Sequence, residues 1–234
     1  MLINQVELSP DRLLGPLNEV ERKFVPKRLF VVGDTAIFEA GFRVSIVGSR
    51  KASPQGLRRA ARLAKNVCER GGIVVSGLAR GIDTAAHRAA IDAGGRTVAV
   101  IGTPLDVAYP PENRELQSLI MKDHICVSQF AFGTPVQPKN FPIRNRTMAL
   151  LSDATVIIEA GEKSGSISQG WEALRLGRGL FISNAISTDS ELKWPREMLA
   201  YGGQTLSDDS AEEFFNSLPE RGIALDFDAI AVSH

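Results

Sequence analysis

Cysteine, tyrosine and tryptophan each occur only twice in the 234 residues, and histidine three times. Cys68 and Cys126 lie far apart in apolar segments, which argues against a disulfide framework and for buried, reduced thiols. His87, His124 and His234 are scattered, with no cysteine beside them, so neither a metal nor a cofactor is expected. No apolar run approaches the roughly 18 residues that span a bilayer. The first residues, "MLINQVELSPDRLLG", lack the basic flank, apolar stretch and small-residue cleavage site of a signal peptide. A cytoplasmic globular protein without membrane contact is expected. Net charge is missing too: 27 basic residues balance 27 acidic ones.

The distribution of charge says more than its sum. From Arg43 to Arg80 the chain carries Arg43, Arg50, Lys51, Arg58, Arg59, Arg62, Lys65, Arg70 and Arg80 against Glu69. From Ser207 onward it carries Asp208, Asp209, Glu212, Glu213, Glu220, Asp226 and Asp228 against Arg221. The basic stretch offers a polyanion surface, although Arg58, Arg59, Arg62 and Lys65 fit a solvated helix face equally well.

Short β-branched runs alternate with segments of helical period. "VSIVG", "IVVSG", "TVAVIG", "HICVSQF", "ATVIIEAG" and "LFISN" read as strands, with helices between them. Their continuous apolar character predicts burial on both faces, hence a mostly parallel sheet with helices on either side. "KRLFVVGD" adds a further strand, expected at the edge. The expected organisation is an N-terminal extension over residues 1–40, a core over 41–206 and an acidic helix and tail over 207–234.

In open parallel sheets ligands bind where strands end and helices begin. Those loops are "GSRKAS" with Gly48, Ser49 and Arg50, "SGLARGID" with Ser76, Gly77, Arg80 and Gly81, and the loop opened by Gly102. Two more are "FPIRNR" with Phe141, Arg144 and Arg146, preceded by Lys139, and "GEKSGSIS" with Ser164, Gly165 and Ser166. Glycine permits close backbone approach, and helix N-termini attract anions. Together the loops predict one polyanion site in which Arg144 and Arg146 face Arg50 across a crevice. Phe141 either stacks a base or anchors its loop. Asp83 and Asn113 brace the loops, and Asp83 is expected to cap its helix and meet His87 one turn on. His87 is read as structural.

"VGSRKASPQG", "VVSGLARGIDTAAHRAAIDAGGRTVAVIG", "LDVAYPPEN", "FPIRNRTMALLS" and "VIIEAGEKSGSIS", in this order, resemble the DprA/Smf family of DNA-processing proteins over roughly Phe30 to Ser183. The resemblance implies a Rossmann-like, three-layer α/β sandwich, single-stranded DNA as ligand, a homodimer, and loading of the RecA recombinase during natural transformation. It also places Arg50 at the family's DNA-contacting arginine. The chain departs from the family in its length, in "SGSISQG" where Ser-Gly-Ser-Leu and a Thr-Ala pair are usual, and in "SNAISTDSELKWPREMLAYGG" after the last core strand.

A nucleotide-binding sensor fits the same loops. A second alternative is enzymatic: "SGSISQGWE" partly fits the frame of phosphoribohydrolases, which release a base from nucleoside monophosphates. Glu172 would then be the carboxylate and Arg144 or Arg146 the substrate-holding arginine. The frame's Pro-Gly-Gly and Gly-Thr are missing, so Glu172 is read as an ordinary helix residue. No catalysis is expected.

Overall fold

The structure is a computed structural model that describes residues 4–14, 17–39 and 41–219. In chain order the elements are β1 (Val6–Leu8), α1 (Pro10–Leu14), α2 (Glu19–Phe24), β2 (Leu29–Gly33), β3 (Arg43–Val47), α3 (Pro54–Glu69) and β4 (Ile73–Ser76). There follow α4 (Ile82–Asp92), β5 (Arg96–Ile101), α5 (Arg114–Asp123), β6 (Ile125–Ser128), α6 (Asn140–Leu151), β7 (Ala154–Ile157) and α7 (Gly165–Arg175). The last are β8 (Gly179–Ser183), α8 (Asn184–Ser187), α9 (Trp194–Ala200), β9 (Gln204–Leu206) and α10 (Ala211–Asn216).

The strands form one sheet in the order β1-β2-β6-β5-β4-β3-β7-β8-β9. From β6 to β9 every neighbouring pair is parallel, while β2 runs antiparallel to both β6 and β1. The architecture is α/β, a mostly parallel sheet between two helical layers. The Lys27–Asp34 segment pairs on both sides, so β1 and not β2 closes that edge.

Strand residues alternate between two cores. Val44, Ile46, Val74 and Val156 face α3 and α4 through Ala60, Ala64, Ala86 and Ala90. Val47, Val75, Val100 and Ile157 face the opposite layer, where Met148 of α6 and Met198 of α9 pack. Small alanines let α3 and α4 lie close to the sheet. α3 begins where Ser53 accepts the Gly56 N–H and Pro54 occupies the first helical position.

The chain moves outward from β3 through β4, β5 and β6, then returns to place β7 on the other side of β3. Between β3 and β7 the connections leave toward opposite faces. This is a topological switch point, where a crevice opens beyond the carboxyl ends.

The C-terminal acidic segment folds back on the basic helix. Asp208 pairs with Arg62 at 2.5 Å, and Glu212 pairs with Arg70. The aromatic pair Phe214 and Phe215 is buried, with Phe214 edge-on to Phe181 of β8 at 4.7 Å. Part of the charge asymmetry in the sequence is thus cancelled in three dimensions. The expected tail from residue 220 lies outside the described residues.

Candidate nucleic-acid interface

A cavity of about 690 Å³ occupies the switch point. Gly48, Ser49, Arg50 and Lys51 form one wall, and Ser164, Gly165 and Ser166 form another. Phe141 and Arg144 come from α6. A second space of about 290 Å³ shares Arg50, Phe141 and Arg144 and continues to Gly77, Arg80 and Tyr109. The two make one crevice across the carboxyl ends of β7, β3, β4 and β5.

Local hydrogen bonds hold the walls. The Ser49 N–H donates to the Glu159 carbonyl at 2.6 Å, and Ser49 Oγ accepts from the Lys51 N–H at 3.0 Å. Both Glu159 carboxylate oxygens accept from Ser53. Ser164 caps α7, and its hydroxyl lies 2.7 Å from that of Ser166. These contacts aim Arg50 and Lys51 outward. Both are exposed, and neither forms an ion pair among the described residues. The Arg50 guanidinium sits 5.7 Å from the Phe141 ring, and Tyr109 lies 5.2 Å from the same ring.

Arg144 has a different role. It is 6% exposed, and its Nη1 donates to the Gly77 carbonyl at 2.5 Å and the Val100 carbonyl at 2.7 Å. Burial pulls its guanidinium pKa down, opposed by the nearby Asp83 carboxylate. Burial likewise raises the Asp83 carboxyl, opposed by Arg144 and by N–H groups of the preceding loop. Asp83 Oδ2 accepts from the Gly77 and Ala79 N–H groups at 3.2 and 3.3 Å. It therefore neither caps α4, whose cap Gly81 makes no side-chain bond, nor meets His87. His87 Nδ1 instead lies 2.7 Å from Thr97 Oγ1.

Between Gly77 and Ala79, Leu78 is buried with φ of 57°, a conformation most side chains avoid. Asn113 Nδ2 donates to the Leu78 carbonyl at 2.8 Å and secures it. Asp83 and Asn113 are braces.

Several expected ligand residues stand elsewhere. Ser76 is buried and donates to the Ile46 carbonyl at 2.7 Å. Gly81 turns with φ of 74° against Ser49, and a Cβ at Gly102 would meet the Phe141 ring at 2.9 Å. Glycine at these loops makes room for protein. Lys139 is exposed at the start of α6 and lines neither space. Arg80 is engaged by Glu112.

Arg146 departs from the expected trio. It points from α6 to α7, where its Nε donates to Glu172 at 2.9 Å, and its guanidinium lies over Phe24. The expectation that Arg146 shares the crevice with Arg50 fails because α6 turns successive arginines to different faces. Sequence reasoning did not single out Tyr109, Lys163 or Gln169, which line the crevice. Gln169 is fully buried, and its Oε1 has no hydrogen-bond partner. An aromatic followed by two prolines in a carboxyl-end loop was the available signal for Tyr109.

Among the described residues no helix is long and apolar enough to cross a membrane. A profile of the DNA recombination-mediator protein A family matches residues 14–218. The DNA processing protein DprA of Bacillus subtilis (strain 168) is 36% identical over 198 residues, 85% of this chain and 66% of the relative. The chain thus spans just under two thirds of that relative's length. DNA processing protein A from Streptococcus pneumoniae is similar in structure, with a TM-score of 0.78, 30% identity, and coverage of 92% of this chain and 75% of that one. Its Helicobacter pylori counterpart, described for a single-stranded DNA binding mode, gives a TM-score of 0.76, 27% identity, and coverage of 92% and 95%. The chain belongs to the DNA recombination-mediator protein A family.

Proposed function

We propose that this chain binds single-stranded DNA in the switch-point crevice and serves DNA uptake and recombination as a DNA-processing protein. The observation that carries this reading is the exposed Arg50–Lys51 pair beside Phe141, neither residue in an ion pair among the described residues. Flexible strands are held by cations that track phosphates and by rings that stack bases. Arg50 and Lys51 supply the first, Phe141 and Tyr109 the second. The Ser164–Ser166 turn adds hydroxyl and N–H donors for phosphate oxygens.

RecA loading, a homodimer and a cytoplasmic setting complete the proposal on the strength of family membership. The reading requires no catalysis. Glu172 is closed against Arg146 and Arg175 at 2.9 and 3.5 Å and lines neither part of the crevice, which supports a binding protein over a phosphoribohydrolase.

A nucleotide sensor is the second reading, favoured by the crevice volume, which accommodates a mononucleotide. Labelled oligonucleotide binding by Arg50→Ala separates the readings when nucleoside monophosphates are included as competitors. Loss of about 1–3 kcal/mol with weak competition is expected for a strand groove. Unchanged affinity would remove Arg50 from the site, and full displacement by monophosphates would favour the sensor.

A further inference from the structure

A second cavity, of about 340 Å³, lies between α3 and α10, on the face of the sheet opposite α6 and α7. It opens at the same carboxyl edge, beyond Ile158, Ser183 and Leu206 at the ends of β7, β8 and β9. We propose that this cavity is a separate site for one nucleotide, with the phosphate on Arg59 and the base over an apolar floor.

Its floor is Leu63, Ile158, Leu206 and the two phenylalanines of α10. α3 presents Arg59, Arg62, Leu63 and Asn66 at helical spacing, so all four turn toward the cavity. Arg62 is engaged by Asp208, whose charge it balances at the rim. Arg59 has only a 3.5 Å contact to Gln55 Oε1, within its own helix, and its charge has no acidic partner among the described residues. A planar guanidinium of this kind pairs readily with a phosphate.

Ser183 is only 8% exposed, and its hydroxyl makes no hydrogen bond among the described residues, not even as the cap of α8. The Asn66 and Asn184 amides also have no side-chain partner there. A hydroxyl open to the cavity and the amides of half-buried Asn66 and exposed Asn184, set around an apolar floor, match a flat ring with a hydrogen-bonding edge. A lipid would leave these groups unmet, and a bare phosphate would leave the floor uncovered. The volume lies within the range of small-ligand sites.

The nucleotide comes either free or as one unit of a strand, and two probes distinguish the sources. Calorimetry with 2′-deoxyadenosine 5′-monophosphate and anisotropy with a short labelled oligonucleotide are run on the wild type, Arg59→Ala, Ser183→Leu and Arg50→Ala. For a free nucleotide, monophosphate affinity falls at least tenfold in Arg59→Ala and survives in Arg50→Ala. For a strand unit, only oligonucleotide affinity responds, falling about fivefold or more in Arg59→Ala, with a further loss when Arg50→Ala is added. Both results support the site. Arg59 is on a partly exposed helix face, so its variant keeps the fold if Ser183→Leu does not, and a thermal melt checks this. Indifference of both probes to Arg59→Ala overturns the proposal. Equal competition by inorganic phosphate and the monophosphate also overturns it, because the base would then contribute nothing.

Discussion

Gly77 makes room for Arg144. A Cβ at residue 77 would overlap the guanidinium, which donates to the Gly77 carbonyl at 2.5 Å. The arginine ties the end of β4 to the end of β5 through Val100 while remaining buried. Its charge is opposed by Asp83, so the pair stiffens the crevice floor and leaves Arg50 and Lys51 at the rim.

Arg144→Ala is therefore expected to lower stability by about 3 kcal/mol, the scale of a broken buried ionic network. Adding Asp83→Asn should recover part of that loss, since it removes the uncompensated carboxylate. Urea unfolding of the two single variants and the double variant measures the coupling. Additive losses would mean that the two groups do not sense each other.

The roles of Arg50 and Arg144 show where the sequence is legible and where it stops. The strands ending near Gly48, Gly77 and Gly102 were readable because each is a short, mostly apolar and β-branched run followed by a helical segment. Their parallel direction follows from the connections. Both arginines were assigned to the ligand because each follows a glycine- or proline-bearing loop. Burial separates them, and burial depends on what Gly77 leaves empty across 67 residues of chain. The antiparallel insertion of β2 between β1 and β6 was similarly hidden, because an apolar run does not state its partners. The acidic segment was legible as a helix, but its pairing with α3 was not, because those contacts are long-range.

Burial pushes the His87 imidazole down to about 3. Between that value and the ordinary 6.5, the unfolded chain binds a proton that the folded chain refuses. The stability His87 permits is full above pH 6.5 and is lost as pH falls through this window, at up to about 1.4 kcal/mol per pH unit. His87→Leu removes that sensitivity. Its stability deficit relative to wild type should shrink by about 2 kcal/mol between pH 7 and pH 5. Urea midpoints at the two pH values read the difference, and a constant deficit would contradict a neutral, buried imidazole.

Glu172→Gln should leave oligonucleotide affinity unchanged, because the side chain pairs with Arg146 and Arg175 and lines neither part of the crevice. A stability loss of about 1 kcal/mol is expected, reduced from the value of a fully buried pair by the partial exposure of both arginines. Wild-type protein incubated with nucleoside monophosphates should release no free base. Release that disappears in Glu172→Gln, with the fold intact, would make this an enzyme.

The central claim is that Arg50 and Lys51 meet the phosphates of a single strand, and the salt dependence of binding tests it most directly. Each phosphate contact on a single strand contributes about −0.7 to the slope of log affinity against log salt concentration. Binding of a labelled oligonucleotide by the wild type should weaken steeply with salt. Arg50→Ala/Lys51→Ala should make the slope shallower by about 1.4 while lowering affinity. The same slope and affinity in the double variant would place the strand elsewhere and contradict the account.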